Sequence, residues 1–263
     1  MTNSIISLIL LLFQVAVLCV LLFLCGRMIG AYKKSLTPVF LAFSLALWLF
    51  TDLYWLIYDL IRQNARMPFG ANEFGEAAVF LTLAAALSAT VSHGFYEAKA
   101  QAVGAVVFAA CNMALWIAWS GEWLQDTLVG ASFGYLLYTI ACSLKAQRAL
   151  HRGEWTLLGL ACALLILAQT TTFFAEAGMK KTLDAACSVL LSVGVAYWGL
   201  KLLQARKKGL RHRTLLCLAY GLTAWIIMAK YMSEGTIYLL FMFAETLSVP
   251  LLFLSAGKAV EDR

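Results

Sequence analysis

Residues 5–24 read IISLILLLFQVAVLCVLLFL, a run without one charged side chain, and they decide which solvent this chain is built for. Wound as a helix rising about 1.5 Å per residue, such a run is roughly 30 Å long, the thickness of a bilayer's hydrocarbon core. Runs of the same kind follow one another almost to residue 263. The composition is 62% hydrophobic and 13% charged, with a mean hydropathy of +0.82. A water-soluble domain of that make-up would be covered in apolar patches. The fold class expected is all-α: a polytopic transmembrane helix bundle of about nine helices. It forms a single integral membrane domain over residues 1–263, with the lipid bilayer as its first partner.

Working outward from that run, hydropathy places helices at about 4–30, 37–62, 73–92, 101–120, 124–146, 154–177, 181–204, 211–232 and 235–258. The first has no basic residue ahead of it and exceeds a secretion signal's apolar core, so it reads as a retained helix. Alternate connections hold fifteen of the 20 lysines and arginines, among them Lys33, Lys34, Arg148, Arg152 and the run from Lys201 to Arg213. Basic residues collect on the cytoplasmic side. The orientation expected is N-terminus outside and C-terminus cytoplasmic, in the cell membrane. Ten of the 14 acids fall in the opposite, outer half. Orientation rules largely ignore acids, so this asymmetry points toward function.

The eight helices after the first read as four outward-turning hairpins. Each returning helix carries an acid followed by two apolar or small residues: Glu76-Ala77-Ala78, Asp126-Thr127-Leu128, Asp184-Ala185-Ala186 and Glu245-Thr246-Leu247. Duplication and biased composition both account for the pattern. Gly130 and Gly134 form a small-xxx-small pair suited to close helix approach. The seven cysteines lie inside apolar runs without a CxxC pair, and read as packing residues rather than disulfide partners.

On the second helix, Trp48, Asp52, Trp55, Asp59 and Arg62 recur at spacings of four, three, four and three, which is one helical face. Asp52 lies about ten residues from the outer end, roughly 15 Å deep. An ionised carboxylate at that depth costs at least about 2.5 kcal/mol, so it must meet a partner, face a hydrated cavity or carry a proton. Two indoles flank it, and aromatic faces with carboxylates hold cations. The competing reading is an interhelical salt bridge, with Lys230 as a natural partner and the tryptophans as packing. Lys230 is equally able to snorkel to water or to pair with Asp52 or Glu245. Glu245 is comparably deep, and Pro250 follows it. The proline ring should bend the helix and free the Thr246 carbonyl. Breaks beside buried charge recur in transporters, although proline also kinks helices for packing alone.

Glu73, Glu76, Asp126, Asp184 and Glu234 fall near helix starts, where acids complement the helix dipole, with Asn72, Thr182 and Ser233 as caps. They also suit the mouth of a cation-attracting vestibule. Gln169, Thr172 and Glu176 share a face of the sixth helix, and Asn112, Trp116, Trp119 and Trp123 a face of the fourth. The 201–213 segment suits anionic lipid as well as topology, and the 63–72 connection is a candidate lid. His93, His151 and His212 all fall in cytoplasmic connections, and HExxH, GxSxG and phosphate-binding loops are missing. No catalytic residue, metal, cofactor or nucleic-acid partner is marked.

The candidate ligand- or ion-binding set is Asp52, Glu245, Trp48, Trp55, Asp59, Glu76, Lys230 and Gln169. The function expected is a small-solute or cation-coupled permease with an outward-facing acidic and aromatic cavity. One alternative is a membrane-embedded sensor or non-catalytic subunit that signals to a separate cytoplasmic partner. Another is an intramembrane lipid-modifying enzyme. Assembly as an oligomer or with a partner subunit stays open.

Overall fold

A computed structural model describes residues 2–61, 70–91 and 96–262. Among them are nine helices long and apolar enough to cross a membrane, and no strand. They are α1 (Thr2–Ala31), α2 (Thr37–Ile61), α3 (Ala71–Thr90), α4 (Lys99–Ser120), α5 (Trp123–Ala146), α6 (Arg152–Thr172), α7 (Ala177–Lys207), α8 (His212–Tyr231) and α9 (Gly235–Glu261). The all-α multi-pass architecture expected from hydropathy is therefore the one observed. The 63–72 connection lies outside the described residues up to position 69, as does His93.

The ends of α6 and α7 depart from expectation for local reasons. Thr170, Thr171 and Thr172 turn their hydroxyls back onto the carbonyls of Ile166, Ala168 and Gln169, at 2.7, 2.7 and 2.6 Å. Hydroxyls that compete for the same carbonyls loosen a helix, and α6 stops at Thr172. Glu176 consequently caps α7 instead of extending the face of Gln169 and Thr172. Because α7 starts at Ala177, Thr182 and Asp184 lie inside it, past the first turn. Gly70 and Glu234 cap α3 and α9, so Asn72 and Ser233 are not the caps. No break appears at Pro250. α9 is continuous from Gly235 to Glu261, and the Ser248 hydroxyl donates to the Glu245 carbonyl at 2.9 Å. Pro250 still supplies no N–H to the Thr246 carbonyl, as expected.

Consecutive helices pack in pairs, α2 on α3, α4 on α5, α6 on α7 and α8 on α9, while α1 rests on α2 and α9. Contacts of α3 with α5, α5 with α8 and α7 with α8 join the pairs. The centre is α8, in which every residue from Leu216 to Ala229 is buried. Absent side chains let the helices meet there: a Cβ on Gly194 would run into the Trp225 indole, and one on Gly221 would lie 2.7 Å from the Trp198 ring. The Trp225 indole then donates to the Leu191 carbonyl at 3.0 Å, and Tyr220 donates to that of Leu83 at 3.0 Å. Gly134 does the same for α5 against α4, where a Cβ would lie 2.8 Å from Ala109. All seven cysteines are free thiols.

Candidate functional site

Five helices bring polar side chains to one place in the half of the bundle where α8 ends and α9 begins. The approach of α2 to α3 is set by Gly75, since a Cβ there would collide with the Thr51 methyl. That contact places Asp52 and Glu76, the next residues in each helix, across from one another. Antiparallel packing of α8 on α9 sets Lys230 against Glu245. The Lys230 ammonium sits 2.9 and 2.8 Å from the two carboxylate oxygens, donating to both. Of the two fates open to Lys230, pairing with Glu245 is the one observed. Glu245 is 1% exposed.

Around this pair the other members close in. Glu76 accepts from the Tyr231 hydroxyl at 2.8 Å and from the Asn72 amide at 3.2 Å. Gln14, 2% exposed in the middle of α1, reaches across to α9, where the Thr246 hydroxyl lies 3.1 Å from its Oε1. The Gln14 side chain also holds Asp52 by a hydrogen bond, and Asp52 lies within electrostatic reach of Glu245, Lys230 and Glu76. One Asp52 oxygen, Oδ2, is buried without a hydrogen-bond partner. Three carboxyl groups thus share one ammonium in a region of low dielectric. Were all three ionised, two negative charges would stand uncompensated, a state that buried carboxylates avoid by taking up a proton or a cation. Among the described residues no three His, Cys, Asp or Glu side chains are grouped to ligate a metal.

The remaining candidates are dispersed. Trp48 is buried beside Asp52 on α2, but Trp55 is 40% exposed, and Leu53, Ile57 and Ile61 around it are exposed too. α2 leaves the packed interior over its last turns, so the two indoles do not flank the carboxylate as a pair. Arg62 lies outside the described residues, and so does the side chain of Asp59. Gln169 sits on α6, which packs on α7 and α4, and is not brought to the cluster. Glu73 serves its own helix, accepting from the Gly70 amide at 2.9 Å. Asp126 accepts from the Ser120 hydroxyl at the α4–α5 turn. Asp184 and Glu234 are exposed. The fourth helix loses Trp123 to α5; Trp116 packs on Tyr231 at 6.1 Å between ring centres, and Trp119 lies 4.7 Å beneath the Lys180 ammonium.

Sequence reasoning missed Gln14, Asn72 as a donor, and Tyr231. Gln14 had a signal, since it is the only amide within the uncharged run 5–24. Tyr231 had none, because a tyrosine at a helix end belongs equally to the interfacial belt.

At the opposite end of the bundle, Glu154 receives Lys201 from α7 and caps its own helix, accepting from the His151 amide at 2.9 Å. Lys201 is thereby engaged within the protein, while Arg206, Lys207, Lys208 and Arg211 are exposed. A cavity of about 670 Å³ lies between α4, α5, α6 and α8, and none of Asp52, Glu76, Lys230 or Glu245 lines it. No known family, no curated protein and no solved structure matches this chain.

Proposed function

We propose that this chain is a small-solute permease coupled to a cation, with Asp52, Glu76, Glu245 and Lys230 as the coupling site and the proton as the ion that fits it best. The observation that carries the reading is the excess of acid: three carboxyl groups around one lysine, with Asp52 Oδ2 buried and unpartnered. Such a group binds and releases a charge more readily than the bidentate Lys230–Glu245 pair, which holds α8 to α9. A proton needs one free oxygen, whereas a metal ion needs several grouped ligands. Trp48 and Gln14 position the Asp52 carboxyl. Intramembrane acids that form relays of this kind are the usual means of coupling solute movement to a proton gradient. The partition of basic residues supports an orientation with the site toward the outside and the C-terminus in the cytoplasm of a cell membrane. The exposed basic run from Arg206 to Arg211 offers itself to anionic headgroups of the cytoplasmic leaflet.

The test is a proteoliposome assay with a panel of radiolabelled amino acids and small organic cations, driven by an inward proton gradient, a sodium gradient or neither. Wild type accumulates a member of the panel under the proton gradient, and Asp52→Asn loses accumulation while reaching the membrane in equal amount. Glu76→Gln shifts the pH dependence of uptake. Uptake that survives Asp52→Asn, or that follows sodium with no response to protons, sinks the assignment. A variant that never reaches the membrane returns the carboxylate to the role of an interhelical bond.

A further inference from the structure

The 670 Å³ cavity is a groove with chemically distinct ends. α5 and α8 make its floor and α4, α6 and Trp198 of α7 its walls. α6 packs on α7 and α4 and stands off α5 and α8, which is what opens the space. The lining is almost wholly apolar, with Trp155, Trp198, Trp225, Phe108 and Met228 as its bulkiest contributors. A space of this size falls within the range of about 300–1,000 Å³ that binds small molecules. Left empty, every lining atom would forgo its dispersion contacts, and an apolar wall gives water no partners. Its surroundings in a bilayer are hydrocarbon.

Shape narrows the occupant. Along α6 the groove runs from Trp155 to Thr170, about 22 Å by helical rise. One leaflet contributes only about half of a 30 Å hydrocarbon core, so the groove takes a chain along its whole length. Charge narrows it further. At the mouth nearest Glu154, Lys99 opens α4 beside the lining residue Ala100, Lys145 follows Leu144, and Arg152 opens α6. Ala98 and Ala102 pack on Cys142, which sets the start of α4 against the last turns of α5. Arg148 stands in the turn between α5 and α6. Among the described residues none of these four cations is in an ion pair. Trp155 lines the groove in the first turn of α6, and its indole N–H is buried without an acceptor.

We propose that this groove is a lipid site: an acyl chain of an anionic phospholipid lies between α6 and the α5–α8 floor, with its headgroup held by Lys99, Lys145, Arg148 and Arg152. The Trp155 indole donates to a phosphate or ester oxygen of that lipid. The site is separate from the acidic cluster and stands whether or not the chain is a permease.

Two glycines make a clean test. Gly104 and Gly159 line the groove, and nothing lies within 4 Å of a Cβ built on either. Gly104→Leu with Gly159→Leu therefore starts each added side chain in open space and fills the groove. The full chain is purified in mild detergent and equilibrated with phosphatidylglycerol or with phosphatidylcholine of the same acyl chains. Retained lipid is counted by native mass spectrometry. Wild type retains about one phosphatidylglycerol and prefers it about tenfold over phosphatidylcholine. The plugged variant loses retention about tenfold, with helix content and unfolding temperature unchanged. Lys99→Gln with Arg152→Gln keeps a lipid and loses the preference, and this variant decides the question if the plugged one fails to fold. Equal retention in the plugged variant, or a preference that survives removal of both cations, overturns the proposal. A plug that converts a wild-type dimer to monomer overturns it too, assigning the groove to a second copy.

Discussion

α6 and α8 have nearly the same length and hydropathy, yet α8 is enclosed on all sides and α6 is almost bare. In water such a difference would follow from composition, because apolar faces turn inward. In a bilayer the lipid is as apolar as the core, and what draws a helix inside is close packing and polar contact. α8 has both. Gly221 admits Trp198, Trp225 fills the gap left by Gly194, and Lys230 finds Glu245. α6 has Gly153 and Gly159, but nothing stands within 4 Å of either. The glycines that matter are those with a neighbouring side chain pressed against them, and that is a property of two helices rather than one.

Substitutions can break this contrast, beginning with the lysine. Lys230→Met leaves Glu245 buried without its partner, and the expected loss is about 3–5 kcal/mol. Replacing Glu245 by Met in the same chain recovers most of it. Thermal unfolding in detergent, followed by a thiol-reactive dye on the buried Cys25 and Cys217, reads both results. A single substitution no worse than the double would mean the pair holds nothing. Next comes packing. Gly221→Leu forces the α7–α8 contact apart for about 1–3 kcal/mol, whereas Gly199→Leu on α7, with open space before it, stays within about 0.5 kcal/mol. Equal effects would erase the distinction between inner and outer faces. Trp225→Phe deletes the bond to the Leu191 carbonyl and empties the space the indole fills over Gly194, a loss of about 1–2 kcal/mol, measured in the same assay.

The smallest effect lies in the α1–α2 connection. Tyr32 donates to Glu261 at 2.9 Å, and that hydrogen bond raises the phenol above its ordinary value of 10. The folded chain favours the protonated phenol. The contact is therefore intact below the ordinary phenol titration and is lost as pH rises through the raised value. A Tyr32 ring resonance that titrates later in wild type than in Glu261→Gln checks this by NMR.

The helices were legible because each run of about 20 apolar residues had to span a hydrocarbon core, whatever its neighbours. Asp52, Glu245 and Lys230 were legible for a related reason: a charge in such a run stands out against the insertion cost. The rest of the cluster was not. Tyr231 and Asn72 are ordinary residues for their positions; Asn72 reaches Glu76 one turn along α3, and only the packing of the helices turns Tyr231 toward it. Trp55 misled because the face it shares with Asp52 continues past the point where neighbouring helices cover it. The groove could not be foreseen at all, since it is an absence of contact between α6 and helices that its own sequence does not mention.

The Lys230–Glu245 pair also bears on how the chain is made. An isolated Lys or Asp at the centre of a helix costs about 2.5–3.5 kcal/mol to pass from the translocon into lipid. Here both ions sit in consecutive segments, so α8 and α9 can leave the translocon together as one neutral hairpin. Asp52 similarly finds Gln14 in a helix synthesised before it. Glu245 and Asp52 thus each meet a companion already in place, whereas Lys230 waits one helix for Glu245, and Glu76 has Asn72 in its own helix until Tyr231 emerges from the ribosome.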